Sequence, residues 1–235
     1  MPQRLRCTVT EVLAHGEQVY SVFLQPESLA PRFQPGQFLH LALDEYSPGD
    51  FWPDSRPFSI ASAPTERGLL RITYAVKGQF THRMEAELRV GREVWVKMPY
   101  GEFIVNAETD VCLLAGGTGI TAFTAFLVAL PKDHPHRVYL FYGARRPELL
   151  LYRPMVEAAS ARCPGLRVYL FAEEGANGTG CQSGRIDLEI AWKKIAAPLS
   201  TIYYLAGPPA MIHALPNELA QRGVPSDRVL IDAWD

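Results

Sequence analysis

Residues 56–64, RPFSIASAP, combine an arginine, an aromatic ring and small hydroxyl side chains on a predicted β-strand. The planar guanidinium of Arg56 can donate two parallel, charge-assisted hydrogen bonds to a phosphate, and Pro57 favours an extended backbone at Arg56. Phe58 supplies a flat apolar face, and Ser59 supplies a hydroxyl donor. The stretch predicts one wall of a site for a flat, anionic ligand. The alternative is an edge strand with a solvated arginine and a core phenylalanine.

A glycine-rich turn forms a second candidate site. In CLLAGGTGITAF, Gly116, Gly117 and Gly119 lie between a buried strand and a helix. Glycines allow a tight turn and a close approach of the backbone to a ligand, and a helix N-terminus offers free N–H groups. A pyrophosphate is therefore the favoured ligand, and an ordinary strand-to-helix turn is the alternative. The spacing is not the G-x-G-x-x-G fingerprint, and no Gly-Lys-Ser/Thr follows, which disfavours ATP hydrolysis.

Two patterns of secondary structure must position these residues. Up to residue 105, short β-like runs are broken by turns such as PG at 35–36, which predicts an antiparallel barrel. One helix, THRMEAEL, interrupts the strands, with Thr81 predicted as its N-cap. From residue 106, apolar strands alternate with helices, which predicts a doubly wound α/β domain with a parallel sheet. The predicted domains are residues 1–105 and 106–235.

Composition excludes several classes of function. Of the 235 residues, 48% are hydrophobic and 20% are charged, as in a soluble globular chain, and the net charge of -2 argues against nucleic-acid binding. No run approaches the roughly 20 apolar residues of a membrane span, and the first residues lack the apolar core of a signal peptide, so we expect a cytoplasmic protein. The four cysteines form no C-x-x-C pair, which predicts free buried thiols and no zinc or iron–sulfur site.

Four motifs, RPFSIAS, VKGQFT, GGTGIT and AGPPAM, occur in this order along the chain. Together they resemble the ferredoxin–NADP reductase-like superfamily, most closely its flavin reductase and dioxygenase-reductase branches, over nearly the whole chain. The resemblance implies that the barrel binds FAD, with FMN as an alternative, and that the α/β domain binds a nicotinamide nucleotide. Hydride would pass from nicotinamide C4 to flavin N5.

The resemblance also implies roles for individual residues at the flavin. Arg56 would pair with a flavin phosphate, Phe58 would lie against the isoalloxazine, and Ser59 would approach N5 as a catalytic group. Strict alternation puts Ser59 on the face opposite Arg56 and Phe58, so a twist or bend must reconcile them. Asp232, in the terminal strand, would be the second catalytic residue. The other implied flavin-binding residues are Pro57, Tyr74, Ala75, Val76, Gly78, Gln79, Phe80, Thr81 and Trp234.

A longer set of residues is implied to bind the nicotinamide nucleotide. The set is Gly116, Gly117, Thr118, Gly119, Ile120, Thr121, Gly143, Arg145, Glu173, Gly207, Pro208 and Met211. Glu173 and Glu174 would repel a 2′-phosphate and could accept from a 2′-hydroxyl, which favours NADH over NADPH. Arg145 and Arg146, in contrast, favour NADPH. Many relatives carry a cysteine where this chain has Ala206, close to where the hydride leaves the nicotinamide. Any assistance of that step by a thiol is therefore missing here.

These features predict a flavin-dependent NAD(P)H oxidoreductase. Because no cysteine cluster is present, electrons would leave to free flavin or to a separate acceptor protein. One alternative is the reductase subunit of an oxygenase or other electron-transfer complex, and another is a non-catalytic nucleotide-binding regulatory subunit. In DEYSPGDFWPDS, the rings of Tyr46, Phe51 and Trp52 predict a lid on the flavin adenine, a partner surface or an ordinary loop.

Overall fold

The computed structural model describes residues 1–232 and divides the chain into two units, Met1–Ile104 and Val105–Asp235. Each unit contains one six-stranded sheet. The sheet of the first unit is antiparallel, and that of the second is parallel. The predicted fold class, a barrel followed by a doubly wound α/β domain, is confirmed.

The first unit is a nearly closed barrel with the strand order β4-β3-β6-β1-β2-β5. Buried and exposed side chains alternate along β1 and β6, because successive side chains of a strand point to opposite faces. The inward-facing residues form one apolar core. The strands are β1 (Gln3–Ala14), β2 (Val19–Pro26), β3 (Phe38–Ala42), β4 (Ser55–Ser59), β5 (Leu70–Ala75) and β6 (Glu93–Tyr100).

The helix of the first unit, α1, spans Gln79–Glu87 and begins three residues earlier than predicted. Its N-cap is Gly78, so the prediction that Thr81 is the N-cap is wrong. The Thr81 hydroxyl points back along the chain: its oxygen accepts from the N–H groups of Lys77 (2.8 Å) and Gly78 (3.0 Å). A side chain at the third helical position can bond to the backbone of the N-cap residue in this way. The sequence alone does not distinguish a threonine at this position from a threonine at the N-cap.

The second unit is a parallel sheet in the order β10-β9-β8-β7-β11-β12. Every residue of β7 is buried, as expected for a central strand covered on both faces. The strands are β7 (Val111–Gly116), β8 (Val138–Ala144), β9 (Leu166–Ala172), β10 (Gln182–Ser183), β11 (Ile202–Ala206) and β12 (Val229–Asp232).

Four α-helices connect the strands of the second unit: α2 (Thr121–Ala129), α3 (Arg153–Arg162), α4 (Leu188–Lys194) and α5 (Pro209–Gln221). From β7 the chain continues to β8 and β9 on one side, then returns to place β11 and β12 on the other. The strand order therefore reverses between β7 and β11, which makes this the topological switch point of the sheet. Within residues 1–232, no helix has the length and apolarity needed to cross a membrane.

The four cysteines are free, but they are not all buried. Cys7, Cys112 and Cys163 lie in the interior, whereas Cys181 is half-buried, so the prediction of buried thiols is wrong for that residue. Burial, with a smaller contribution from Glu27, raises the pKa of Cys7 to about 12. Burial also raises the pKa of Cys112, so both thiols stay protonated and unreactive.

Candidate functional site

Arg56 lies in β4 beside the N-terminus of α1. Its guanidinium carbon is 5.3 Å from the centroid of the Phe80 ring, which belongs to the first turn of that helix. A cation over an aromatic face is attracted by the ring's quadrupole, and the contact orients the arginine. The structure thus brings together the arginine of RPFSIAS and the segment VKGQFT. The N–H groups of a first helical turn have no partner within the helix, so this corner of the barrel suits an anion.

Aromatic rings line the barrel next to Arg56. The Phe58 and Tyr74 rings meet edge to face with centroids 6.1 Å apart, and Phe58 also packs against the barrel core. Tyr74 stacks on Tyr20 at 5.6 Å, and the Tyr20 hydroxyl donates to Oε1 of Glu85 in α1 at 2.8 Å. Tyr20 lies directly opposite Tyr74 across β2 and β5. Tyr20 was not among the predicted site residues, because its contact with Tyr74 depends on the register of β2 and β5.

The hydroxyl of Tyr74 is buried without a hydrogen-bond partner among residues 1–232. Burial, and then the neighbouring Tyr20 and Glu85, raise the pKa of Tyr74, so the group remains a neutral phenol. A buried hydroxyl without a partner costs free energy, and such groups gather where a structure binds ligands or holds water. Beside this buried hydroxyl, Arg56 and the half-buried ring of Phe58 fit a ligand that is both flat and anionic, as a flavin nucleotide is.

Ser59 is the last residue of β4 and lies opposite Phe38 of β3. The pairing of β3 with β4 is regular, so alternation along β4 is unbroken, and Ser59 lies on the face opposite Arg56 and Phe58. The pairing of β3 with β4 contains no bulge that would turn Ser59 to the other face. The Ser59 side chain is nevertheless buried, and its role at flavin N5 stays a prediction.

The segment at 78–81 offers fewer free donors than predicted. The Thr81 hydroxyl donates to the carbonyl oxygen of Gly78 at 3.0 Å and also accepts from the N–H of Gly78. Neither group is therefore available for a phosphate without breaking these bonds. The backbone N–H groups of Gln79 and Phe80 remain the first-turn donors suited to that role.

In the second unit, the two glycine motifs meet at the switch point. Gly116 ends β7 and Ala206 ends β11, and these residues lie on neighbouring strands. A Cβ atom added to Gly119 would be 2.3 Å from the carbonyl oxygen of Ala206, so Gly119 is needed for packing between the two turns. Gly117 has φ +54, and a Cβ atom there would meet nothing within 4 Å. Open space therefore lies beside Gly117, where a pyrophosphate could approach the backbone.

Other predicted nucleotide-binding residues follow neighbouring strands at the same edge. Gly143 is paired in register with Gly116, Arg145 follows β8, and Glu173 follows β9. The Nε atom of Arg145 donates to Oε1 of Glu174 at 3.1 Å, and that of Arg185 donates to Oε2 of Glu173 at 3.0 Å. Sequence analysis missed Arg185, which reaches Glu173 only because β10 returns beside the end of β9.

Asp232 ends β12 and is paired in register with Ala206. Its side chain is buried, and it lies at the carboxyl edge beside the switch point. The predicted catalytic carboxylate and Ala206 are therefore neighbours. Trp234 lies outside the described residues.

The loop at 44–54 is anchored on the barrel by two of its three rings. Tyr46 is buried against the rings of Trp52 (5.3 Å) and Trp95 (5.4 Å), and its hydroxyl accepts a hydrogen bond from Arg4. Phe51, in contrast, is 99% exposed. Tyr46 and Trp52 therefore position the loop, and Phe51 is the ring that remains for a lid or a partner surface.

Comparison with known proteins gives sequence and structural relatives. Residues 113–216 match the family model described as the oxidoreductase NAD-binding domain. An NAD(P)H-flavin reductase of Vibrio harveyi is 32% identical over 155 residues, which cover 60% of this chain and 60% of the relative. A flavohemoprotein of Rhizobium meliloti (strain 1021) is 25% identical over 243 residues, covering 95% and 59%. An Amycolatopsis cytochrome P450 reductase superposes with a TM-score of 0.84 at 21% identity, covering 98% of this chain and 69% of that chain.

The chain spans about 60% of the length of these two curated relatives. Its barrel and parallel sheet are the fold of the structural relative. The resemblance to the ferredoxin–NADP reductase-like superfamily that the four motifs predicted is confirmed by these matches. Residues 113–216, in the second unit, are similar to an oxidoreductase NAD-binding domain.

The close contact at Gly119 generates a stability prediction. We expect Gly119→Ala to lower the free energy of unfolding by roughly 2–4 kcal/mol, because the added methyl group meets backbone atoms that cannot rotate away. The control Gly117→Ala introduces a left-handed alanine in open space and should cost about 1–2 kcal/mol. Chemical denaturation followed by circular dichroism measures both values. Equal losses in the two variants would contradict the packing role of Gly119.

Proposed function

We propose that this chain is a flavin-dependent NAD(P)H oxidoreductase that passes hydride from a nicotinamide nucleotide to FAD, with FMN as an alternative. The observation that carries the proposal is the switch point of the second unit, where the glycine turns after β7 and β11 meet at the carboxyl edge of the sheet. Ligands of doubly wound sheets bind at such crevices. The match of residues 113–216 to an NAD-binding domain supports the same site.

The flavin part of the proposal rests on the first unit. Arg56 and the first-turn N–H groups of α1 would hold the phosphate, and Phe58 and Tyr74 would contact the ring system. A bound flavin supplies the hydride acceptor and the later transfer of electrons. The residues of the chain would bind and orient the ring. Ser59 and Asp232 are proposed as the polar groups next to the reacting atoms.

NADH is the proposed donor, in preference to NADPH. The carboxylates of Glu173 and Glu174 follow β9 at the carboxyl edge of the sheet, which is the edge at which doubly wound sheets bind their ligands. Each carboxylate accepts from an arginine, Arg185 or Arg145, so the cluster is balanced in charge. A 2′-phosphate would have to displace a carboxylate from one of these arginines, whereas a 2′-hydroxyl could donate to it.

Two acceptors of the electrons are proposed: free flavin and a separate protein. The Vibrio harveyi relative is named as a flavin reductase, which supports the first, and the Amycolatopsis structure is a cytochrome P450 reductase, which supports the second. The exposed ring of Phe51 offers an apolar contact for a protein partner.

Anaerobic reduction tests the proposed activity. We expect NADH to bleach the visible absorbance of flavin bound to the purified protein, because hydride transfer converts oxidised flavin to the reduced form. If the protein is colourless but accelerates NADH oxidation with added riboflavin, FMN or FAD, free flavin is the substrate. A flavin-loaded protein that neither NADH nor NADPH bleaches would overturn the proposal.

Arg56→Ala tests the phosphate contact. We expect the Kd for FMN to rise about 10- to 100-fold, since charge-assisted hydrogen bonds are lost, while the rate of flavin reduction at saturating FMN changes less than about three-fold. Arg56→Lys keeps the charge without the planar fork and should give an intermediate Kd. Fluorescence titration and stopped-flow absorbance measure the two quantities. Unchanged FMN affinity in Arg56→Ala would contradict the assignment.

Glu173→Gln tests the choice of donor. Removing this carboxylate frees Arg185 and lowers the repulsion of a 2′-phosphate, so we expect kcat/KM for NADPH to rise about ten-fold and that for NADH to change less than about three-fold. Glu189→Gln, on α4, is the control that removes a charge elsewhere in the unit. Steady-state kinetics with both nucleotides measures the effect. An unchanged ratio in Glu173→Gln would show that Glu173 does not meet the ribose.

A further inference from the structure

Two oxygen acceptors already hold the guanidinium of Arg56. Its Nη1 atom donates to Oδ1 of Asp54 and, at 2.8 Å, to the carbonyl oxygen of Ser55. The same guanidinium lies over the ring of Phe80. Arg56 is therefore bonded to a carboxylate at the place where the flavin phosphate is proposed to bind.

The pair of Asp54 and Arg56 is set by local backbone geometry. Asp54 lies in a bend directly before β4, two residues from Arg56, and Pro57 keeps Arg56 extended. The side chains are 58% exposed for Asp54 and 51% exposed for Arg56. An ion pair this open to water is weak, so another anion can replace the carboxylate.

We propose that Asp54 competes with the flavin phosphate for Arg56 and thereby sets which flavins the protein prefers. This inference rests on the proposed flavin site. A phosphate of FMN or FAD that binds Arg56 through both Nη1 and Nη2 requires the Nη1 donor that Asp54 holds, whereas riboflavin carries no phosphate. The Asp54 carboxylate also repels a group of like charge. Asp54 therefore weakens the binding of phosphate-bearing flavins and leaves that of riboflavin unchanged.

The size of the effect follows from the exposure of the pair. Exposed ion pairs change an equilibrium by no more than about five-fold, because water screens the charges and both side chains lose freedom when they pair. Salt weakens the competition further, since the Debye length falls to about 3 Å at 1 M ionic strength. Asp54 thus tunes affinity without abolishing the binding of FMN or FAD.

Titration of the intact protein with three flavins tests the proposal. We expect Asp54→Asn to lower the Kd for FMN and for FAD about two- to five-fold at low salt, and to leave the Kd for riboflavin unchanged. The difference between variant and wild type should shrink at 1 M salt. The matched control is Asp50→Asn, which removes an exposed charge from the same loop and should change none of the three constants. Quenching of flavin fluorescence measures all of them.

Three results would overturn the inference. The first is weaker FMN binding in Asp54→Asn, which would mean that Asp54 orients Arg56 for the phosphate. The second is an equal change for riboflavin and FMN, which would mean that the substitution acts on the fold of the loop. In both cases wild-type protein that binds and reduces flavin leaves the proposed function intact. The third is a wild-type protein that binds none of the three flavins, which overturns the proposed function as well.

Discussion

The reversal of strand order beside β7 is the constraint on which the second unit depends. The chain builds β8 and β9 on one side of β7 and then returns to build β11 on the other, so the turns after β7 and β11 leave the same edge in different directions. The carbonyl oxygen of Ala206 approaches Gly119 so closely that the position admits no side chain. The contact between Gly119 and Ala206 thus packs the turn after β7 against the end of β11, at the edge where a nucleotide would bind.

The candidate site of the first unit lies where the two end strands of the sheet meet and nearly close the barrel. The end strands of the sheet, β4 and β5, contribute Phe58 and Tyr74, and the edge-to-face contact of these rings joins the two ends. Aromatic pairs of this kind stabilise a fold and also present flat apolar faces. Arg56 is added to the same corner by its contact with Phe80. The groups that could recognise a flavin are therefore also groups that hold the barrel together.

Much of this architecture could be predicted from the sequence because it depends on local periodicity. Alternating residues predicted the barrel, unbroken apolar runs predicted the parallel sheet, and the order of the motifs predicted the resemblance to the superfamily. Pairings made in three dimensions could not be predicted. Tyr20 meets Tyr74 through strand register, and Arg185 meets Glu173 because β10 returns to the sheet edge. The prediction of Thr81 as the N-cap of α1 is wrong because a threonine hydroxyl can bond to the backbone before it or after it in the chain. The residue type alone does not distinguish these two arrangements.

The position of β4 has a consequence for how the barrel responds to ligands. Within residues 1–232, β4 has a ladder partner, β3, on one side only. A strand bonded on one side opens locally at a lower free energy than one bonded on both, because fewer backbone hydrogen bonds must break. Any molecule that bridges Arg56 on β4 and the first turn of α1 would join two segments that the sheet leaves unbonded. Occupancy of that corner would then act as a cross-link, and resistance to local opening would rise with ligand concentration.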